Sequence, residues 1–263
     1  MEAIKDGVDQ VQLIDGINSP LIHTHLRVLD FQPNSSYSEQ LEKWEAAVVV
    51  LEGKVTVKVE DQVFEDIGTR KTVFEQIPTD TVCVTNDTAF EVEAKDEAKV
   101  LIAYAPSEEK KENRLIPAAE NTVEHRGKYA NKRKVHNILD DQSPYANNLI
   151  VVEVYTEAGN WSSYPPHKHD QDNLPEESFL EEIYYHQIDP GQGFVFQRVY
   201  TDDRELDETM SVYNEDCVIV PKGYHPVGVP DGYTSYYLNV MAGPHKVWKF
   251  NNEKDHEWIL ERD

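Results

Sequence analysis

Pro165-Pro166-His167-Lys168-His169 opens the stretch that decides the fold, and Glu181-Glu182-Ile183-Tyr184-Tyr185-His186 and Pro221-Lys222-Gly223-Tyr224-His225 complete it. Histidines two apart on an extended strand project from one face, because side chains alternate with period 2. His167 and His169 therefore share a face, and Lys168 between them points the opposite way. A strand glutamate and a third histidine, His225, would complete a three-His, one-carboxylate set of metal ligands. Residues 170–181 intervene as a loop, which leaves Glu176, Glu177, Glu181 and Glu182 as carboxylate candidates. Glu182 is favoured because it starts the strand, and its face then continues through Tyr184 and His186.

Outward from this stretch the chain reads as nearly all β. Residues 46–51, 54–59, 81–84, 90–94 and 99–104 are short runs rich in Val and Ile, separated by Gly, Asp, Asn and Pro. The same texture returns at 149–155, 182–188, 194–200, 211–220 and 234–240, a spacing that predicts sandwiches or barrels. The two halves form a diverged internal repeat. Trp44-Glu45-Ala46 through Gly53 and on to Val57 matches Glu181-Glu182-Ile183 through Gly191 and on to Val195. After Pro78 there is no histidine to match His225, so a complete metal site is expected in the second half alone. The early pair His23-Thr24-His25 lacks a full ligand set and reads as structural or interfacial. Residues 105–134 are charged and weakly periodic and read as the connection, with the basic cluster Arg126 to Lys134 as a solvated face. The tail from His245 predicts a short amphipathic C-terminal helix packing on the second domain. The expected domains are 1–117 and 118–263.

Composition narrows the function. A chain of 263 residues can bury a large core, and it has no apolar run of the roughly 18 residues a membrane span needs. The opening MEAIKDGVDQ lacks the layout of a signal peptide. Cys83 and Cys217 each sit inside an apolar run and read as buried reduced thiols of a cytoplasmic protein, not as a disulfide. A formal charge of −24 argues against nucleic-acid and anionic-membrane partners. An anionic substrate would then require a local cation, either a metal ion or an Arg or Lys.

His167-Lys168-His169, Glu182 and Pro221-Lys222-Gly223-Tyr224-His225 together resemble the two motifs of the cupins, with the loop 170–181 as an insertion. That resemblance implies two tandem double-stranded β-helix (jelly-roll) barrels. The longer string from Glu153 to Val227 resembles the 5-deoxy-glucuronate isomerases of myo-inositol catabolism. Glu124-His125-Arg126-Gly127, Val135-His136-Asn137-Ile138 and Leu238 to Pro244 fit the same family, which is similar to the 5-keto-4-deoxyuronate isomerases. The resemblance is dense over about 120–250 and reduces to the cupin outline over 1–117.

The resemblance implies an aldose–ketose interconversion of a small sugar acid, with a hydrogen moving from C2 to C1. A divalent ion suits that step, since it polarises a carbonyl and stabilises an enediolate. Zinc comes first by analogy with the related uronate isomerases; Mn or Fe is left open, because ligand type does not decide between them. Tyr184 is a candidate for proton transfer, with a filled core position as the alternative. Arg198 and Lys222 are candidates for the substrate carboxylate, with ordinary surface cations as the alternative. Alternation lets Gln197 or Arg198 face inward, but not both. Asn239 and Tyr237 share a face and either could support the site. Another uronate isomerase, an iron-dependent cupin dioxygenase and a non-catalytic sugar-binding protein are the competing readings. Association into a homo-oligomer is expected from the two-cupin class.

Overall fold

The structure, a computed structural model, describes residues 3–4 and 6–262. Four main sheets are stacked in series, all with antiparallel neighbours. The N-terminal half supplies a five-stranded and a six-stranded sheet, and the C-terminal half a six-stranded and a four-stranded sheet. Three apolar cores separate them. One lies inside the N-terminal sandwich around Phe31, Val48, Val57 and Val92. A second lies inside the C-terminal sandwich around Val152, Tyr184, Val195 and Tyr237. The third joins the halves, bringing Val28, Val49 and Leu101 against Val151, Ile183 and Leu238.

The two six-stranded sheets therefore face each other and are covered on both sides. This explains why the strands Trp44–Glu52, Ala98–Pro106, Ile150–Thr156 and Thr234–Ala242 are buried almost from end to end. A strand buried on both faces needs no polar alternation. Along Trp44–Glu52, Val48 and Val50 enter the N-terminal core, while Ala47, Val49 and Leu51 enter the shared one. Each fully buried valine or leucine contributes about 1.5–3 kcal/mol over exposure, so both halves depend on the shared layer.

Three sequence expectations change. Residues 105–134 are more than a connection: Arg114–Ile116 pairs with Thr81–Val84, and Thr122–Arg126 pairs with Arg133–Leu139. Thr122–Arg126 is almost wholly exposed, so it carries no apolar period to reveal it. The run 211–220 is two strands, Asp207–Tyr213 and Cys217–Val220. The turn between them is held by the Asp216 carboxylate, which accepts the Tyr213 N–H at 2.8 Å. The C-terminal helix is a 3-10 helix, Lys254–Glu261, that buries Ile259 and leaves Trp258 and Leu260 exposed.

The internal repeat is visible as a reciprocal clasp. Glu45 pairs with Ala105 as Glu181 pairs with Ala242. The Glu45 carboxylate accepts the N–H groups of Asn147, Asn148 and Leu149 at 2.6–2.9 Å. Glu181 reaches the other way and accepts those of Ile22 and His23 at 2.9 and 2.6 Å. Each acid thus satisfies backbone donors of the opposite half. His23 and His25 lie in the same region, His23 edge-on to Phe179 and His25 stacked on Trp44. In this register Ala46 stands where the second half has Glu182.

Candidate metal centre

The central strand of the site is Glu181–Asp189, flanked by Cys217–Val220 and Thr234–Ala242. Its alternation sends Ile183 and Tyr185 into the shared core and Glu182 and Tyr184 into the C-terminal sandwich. The insert after His169 is a hairpin, Asp170–Asn173 with Glu177–Phe179, and it resolves the four carboxylates. Glu176 is exposed. Glu177 accepts from Lys168 at 3.1 Å and from Asn251 at 2.6 Å, and Glu181 is held in the clasp. Glu182 alone enters the pocket.

His169, Glu182 and His225 converge there, all buried. The Nε2 atoms of His169 and His225 each stand 3.2 Å from Glu182 Oε2. Both rings are fixed from behind: His169 Nδ1 donates to the Leu180 carbonyl and His225 Nδ1 to that of Gly223, each at 2.9 Å. With the proton on Nδ1, both Nε2 lone pairs aim at one carboxylate oxygen. Two lone pairs and an anionic oxygen repel unless a cation lies between them. His225 Nε2, fully buried, has no hydrogen-bond partner among the described residues. The donor set thus fits a divalent ion. The His167 ring lies 5.0 Å from that of His225 and 6.5 Å from that of His169, packed on Phe250.

The surroundings hold these groups in place. Asn239 Nδ2 donates to Glu182 Oε1. Lys168 points away from the ligands and binds Asp170 at 2.6 Å, and Asp170 in turn accepts the Gly223 N–H at 2.9 Å. The hairpin is thereby tied to the loop that carries His225. Gly223 adopts φ +96°, and a Cβ there would come within 2.4 Å of the Tyr200 carbonyl. Burial pushes Glu182 up, but the adjacent His225 and His169 rings more than offset it and hold the carboxyl below its ordinary value. Burial foremost, then His225 and His169, drives His167 well below the usual histidine range. His225 is likewise lowered, chiefly by burial, so the His167 and His225 rings are neutral and able to ligate near pH 7; burial lowers His169 too, but the Glu182 carboxylate outweighs it and raises that ring, which must give up a proton to ligate.

Tyr184 points into the sandwich beside the ligands, its hydroxyl 3.1 Å from Ser163 Oγ. Burial, then the charge of Glu182, pushes this phenol well above its ordinary value, so it stays protonated. The pleat turns Gln197 inward to His186 at 3.0 Å and Arg198 outward. Arg198 does not reach the site: its guanidinium takes Asp207 in two bonds of 2.7 Å and is 41% exposed. Lys222 stays on the loop before His225, with Asp203 as its nearby charge, and does not line the pocket. Arg133 does line it, together with Arg126, Val152, Asn239, Tyr237 and Trp248. The basic cluster is thus not wholly a solvated face. The available signal was its adjacency to the apolar strand Arg133–Leu139, whose parity places Arg133 with Val135. No helix among the described residues is long and apolar enough to cross a membrane.

The stacked sandwiches and this pocket define a two-cupin protein with a buried His/Glu/His group that could hold a metal ion. Solved structures agree on the fold: Lactobacillus farciminis oxalate decarboxylase superposes with a TM-score of 0.69 at 14% identity, covering 100% of this chain and 88% of that one. The chain belongs to the KduI/IolB family, whose model matches residues 2–259. It is 62% identical over 259 residues to the 5-deoxy-glucuronate isomerase of Bacillus subtilis (strain 168), covering 98% of this chain and 96% of the relative. It is 59% identical over 261 residues to the protein of that name from Lacticaseibacillus casei, covering 99% of this chain and 96% of the relative. An IolB-like protein from Salmonella typhimurium LT2 superposes with a TM-score of 0.94 at 43% identity, covering 97% and 100% of the two chains. The chain is accordingly an isomerase.

Proposed function

We propose that the chain is a metal-dependent aldose–ketose isomerase that converts 5-deoxy-D-glucuronate to 2-deoxy-5-keto-D-gluconate in myo-inositol degradation. The observation that carries the metal dependence is the convergence of the His169 and His225 Nε2 atoms on Glu182 Oε2, with both tautomers fixed from behind. The substrate is supported by relatives at 58–62% identity that bear the isomerase name over nearly the full chain.

In this reading His167, His169, Glu182 and His225 hold one divalent ion, zinc before manganese or iron. The ion would polarise the substrate carbonyl and acidify the adjacent hydroxyl. The reaction moves one hydrogen from C2 to C1, turns the C2 hydroxyl into a ketone and the aldehyde into a primary alcohol, and consumes no external oxidant. Asn239 fixes the Glu182 carboxylate, and the Leu180 and Gly223 carbonyls keep the imidazole protons on Nδ1. Tyr184, protonated, acts as a hydrogen-bond or proton donor toward the pocket and not as the base. Val152, Val154 and Trp248 exclude water from the reacting centre.

The test is turnover of 5-deoxy-glucuronate followed by proton NMR, before and after chelation. Ketose formation that stops on chelation and returns with added metal supports the reading. Activity that survives full metal removal rejects the metal dependence, and turnover only of another uronate replaces the substrate.

A further inference from the structure

Two cavities share a wall beside the metal centre, at Arg126 and Arg133. The inner one, about 30 Å³, is lined by His167, His169, Glu182 and Asn239. It holds little more than a water molecule or the tip of a ligand. The outer one, about 370 Å³, is large enough for a six-carbon sugar acid. Arg126 and Arg133 belong to the walls of both. A substrate with one end at the ligands and the other in the outer cavity would lie against these two side chains.

The outer cavity is cationic in a protein of charge −24. Arg126, Lys132, Arg133 and Lys134 line it against one carboxylate, Glu157. Two of these four charges are already engaged, and Lys132 is exposed. Arg126 binds Glu124 at 2.7 Å and lies over the Trp248 ring, and Lys134 donates to the Gln76 carbonyl at 2.7 Å. Arg133 differs. Its one hydrogen bond among the described residues goes to the Asn131 carbonyl at 2.9 Å, and no carboxylate pairs with it there. Burial disfavours its charge, and neighbouring Arg126 disfavours it further. Arg126 and Arg133 are directly opposite in the hairpin register, an arrangement of like charges that costs stability unless an anion lies between them. A guanidinium kept charged, partly buried and without an acid, at the joint of two cavities, is a built anion site.

We propose that Arg133 binds the carboxylate of the substrate and thereby selects sugar acids over neutral aldoses, with the carbonyl end of the substrate reaching the inner cavity. The assignment rests on the isomerase reading above for the identity of the substrate, but not for the presence of an anion site. It replaces Arg198 and Lys222 in that role and makes Arg133 a specificity-determining residue.

The test compares wild type, Arg133→Ala and Arg133→Lys. Binding of D-glucuronate and D-glucose is titrated by calorimetry, and KM and kcat are measured on 5-deoxy-glucuronate. Loss of charge-assisted bonds of this kind weakens binding about 30- to 100-fold. Arg133→Ala is expected to lose D-glucuronate affinity to that extent and to leave D-glucose unchanged. KM should rise by a similar factor with kcat within a few-fold, and Arg133→Lys should recover part of the loss. A purely structural role would lower the melting temperature and would not separate the acid from the neutral sugar. D-glucuronate affinity within threefold of wild type in Arg133→Ala overturns the proposal, as does a wild type that binds the two sugars equally. If Arg133→Ala does not fold, the Lys variant decides, since an unchanged acid-to-neutral ratio would be contrary. Arg133-dependent D-glucuronate binding with no turnover of 5-deoxy-glucuronate keeps the anion site and rejects the substrate reading. Turnover with an unchanged KM in Arg133→Ala does the reverse.

Discussion

Arg70→Met would test the polar join between the two halves. Arg70, on the loop after the strand Gln62–Ile67, reaches across the shared core to Glu153, and both side chains are wholly buried. Its guanidinium also donates to Tyr155 Oη at 2.9 Å and to the Leu51 and Ile77 carbonyls at 2.8 Å. The substitution leaves Glu153 with the Tyr236 hydroxyl at 2.8 Å and the His136 ring at 3.3 Å. Removing one partner of a buried ion pair costs about 3–5 kcal/mol. The carboxyl agrees with this magnitude. Burial pushes Glu153 up, but Arg70 and His136 bring it from 4.5 down to about 2. At about 1.4 kcal/mol for each tenfold, that depression corresponds to about 3 kcal/mol. A melting temperature roughly 10 °C below wild type at pH 7 follows. The sign with pH is fixed: a depressed carboxyl stabilises above its unfolded value of 4.5 and loses that contribution as pH falls toward 2. The deficit of the variant should therefore be full at pH 7 and shrink on acidification below about pH 4.5. Thermal melts by circular dichroism at both ends of this range provide the assay. A melting temperature within about 2 °C of wild type at pH 7, or a deficit that grows on acidification, would refute the reasoning.

Three further outcomes follow from the same geometry. Glu182→Gln should lose bound metal while keeping its fold, whereas Glu181→Ala should keep metal and lose about 1–3 kcal/mol of stability, because Ile22 and His23 lose their acceptor; metal analysis beside urea unfolding separates the two. Asn239→Ala, which frees the Glu182 carboxylate, should weaken metal affinity about 10- to 100-fold in a competition titration with a chelator. Arg198→Ala should leave kcat/KM within twofold and stability within about 1 kcal/mol, since it removes an exposed pair with Asp207 and an outward contact with the Tyr200 ring, neither of which reaches the site.

How much of this the sequence disclosed depends on which faces are covered. The central strands were legible because burial on both sides makes them continuous apolar runs, as in Ala47 to Leu51. Glu182 was favoured because it starts the strand, but the strand begins at Glu181; what separates the two acids is that adjacent residues alternate, one facing the C-terminal core and the other the opposite half. The repeat read from sequence set Glu45 against Glu182, one residue off the register in which Glu45 and Glu181 share a role; the backbone donors these two satisfy lie about 100 and 160 residues away in sequence and could not correct it. Parity failed where it had no anchor. Gln197 and Arg198 alternate, and only the pairing of Gln197 with His186 decides which one turns inward. The strand Thr122–Arg126 escaped notice because an exposed, charged edge strand has no apolar period. Arg133 was hidden in the same cluster, since a basic run reads as solvated until a cross-strand partner shows which residue faces the pocket.

The measurement that bears most directly on the central claim is anomalous diffraction from crystals of the purified protein, at the absorption edge of whichever metal elemental analysis finds. The account predicts one divalent ion per chain, located between His169 Nε2, His225 Nε2 and Glu182 Oε2 with His167 as the further ligand. No peak at that point in a catalytically active preparation, or a peak elsewhere in the chain, would contradict it.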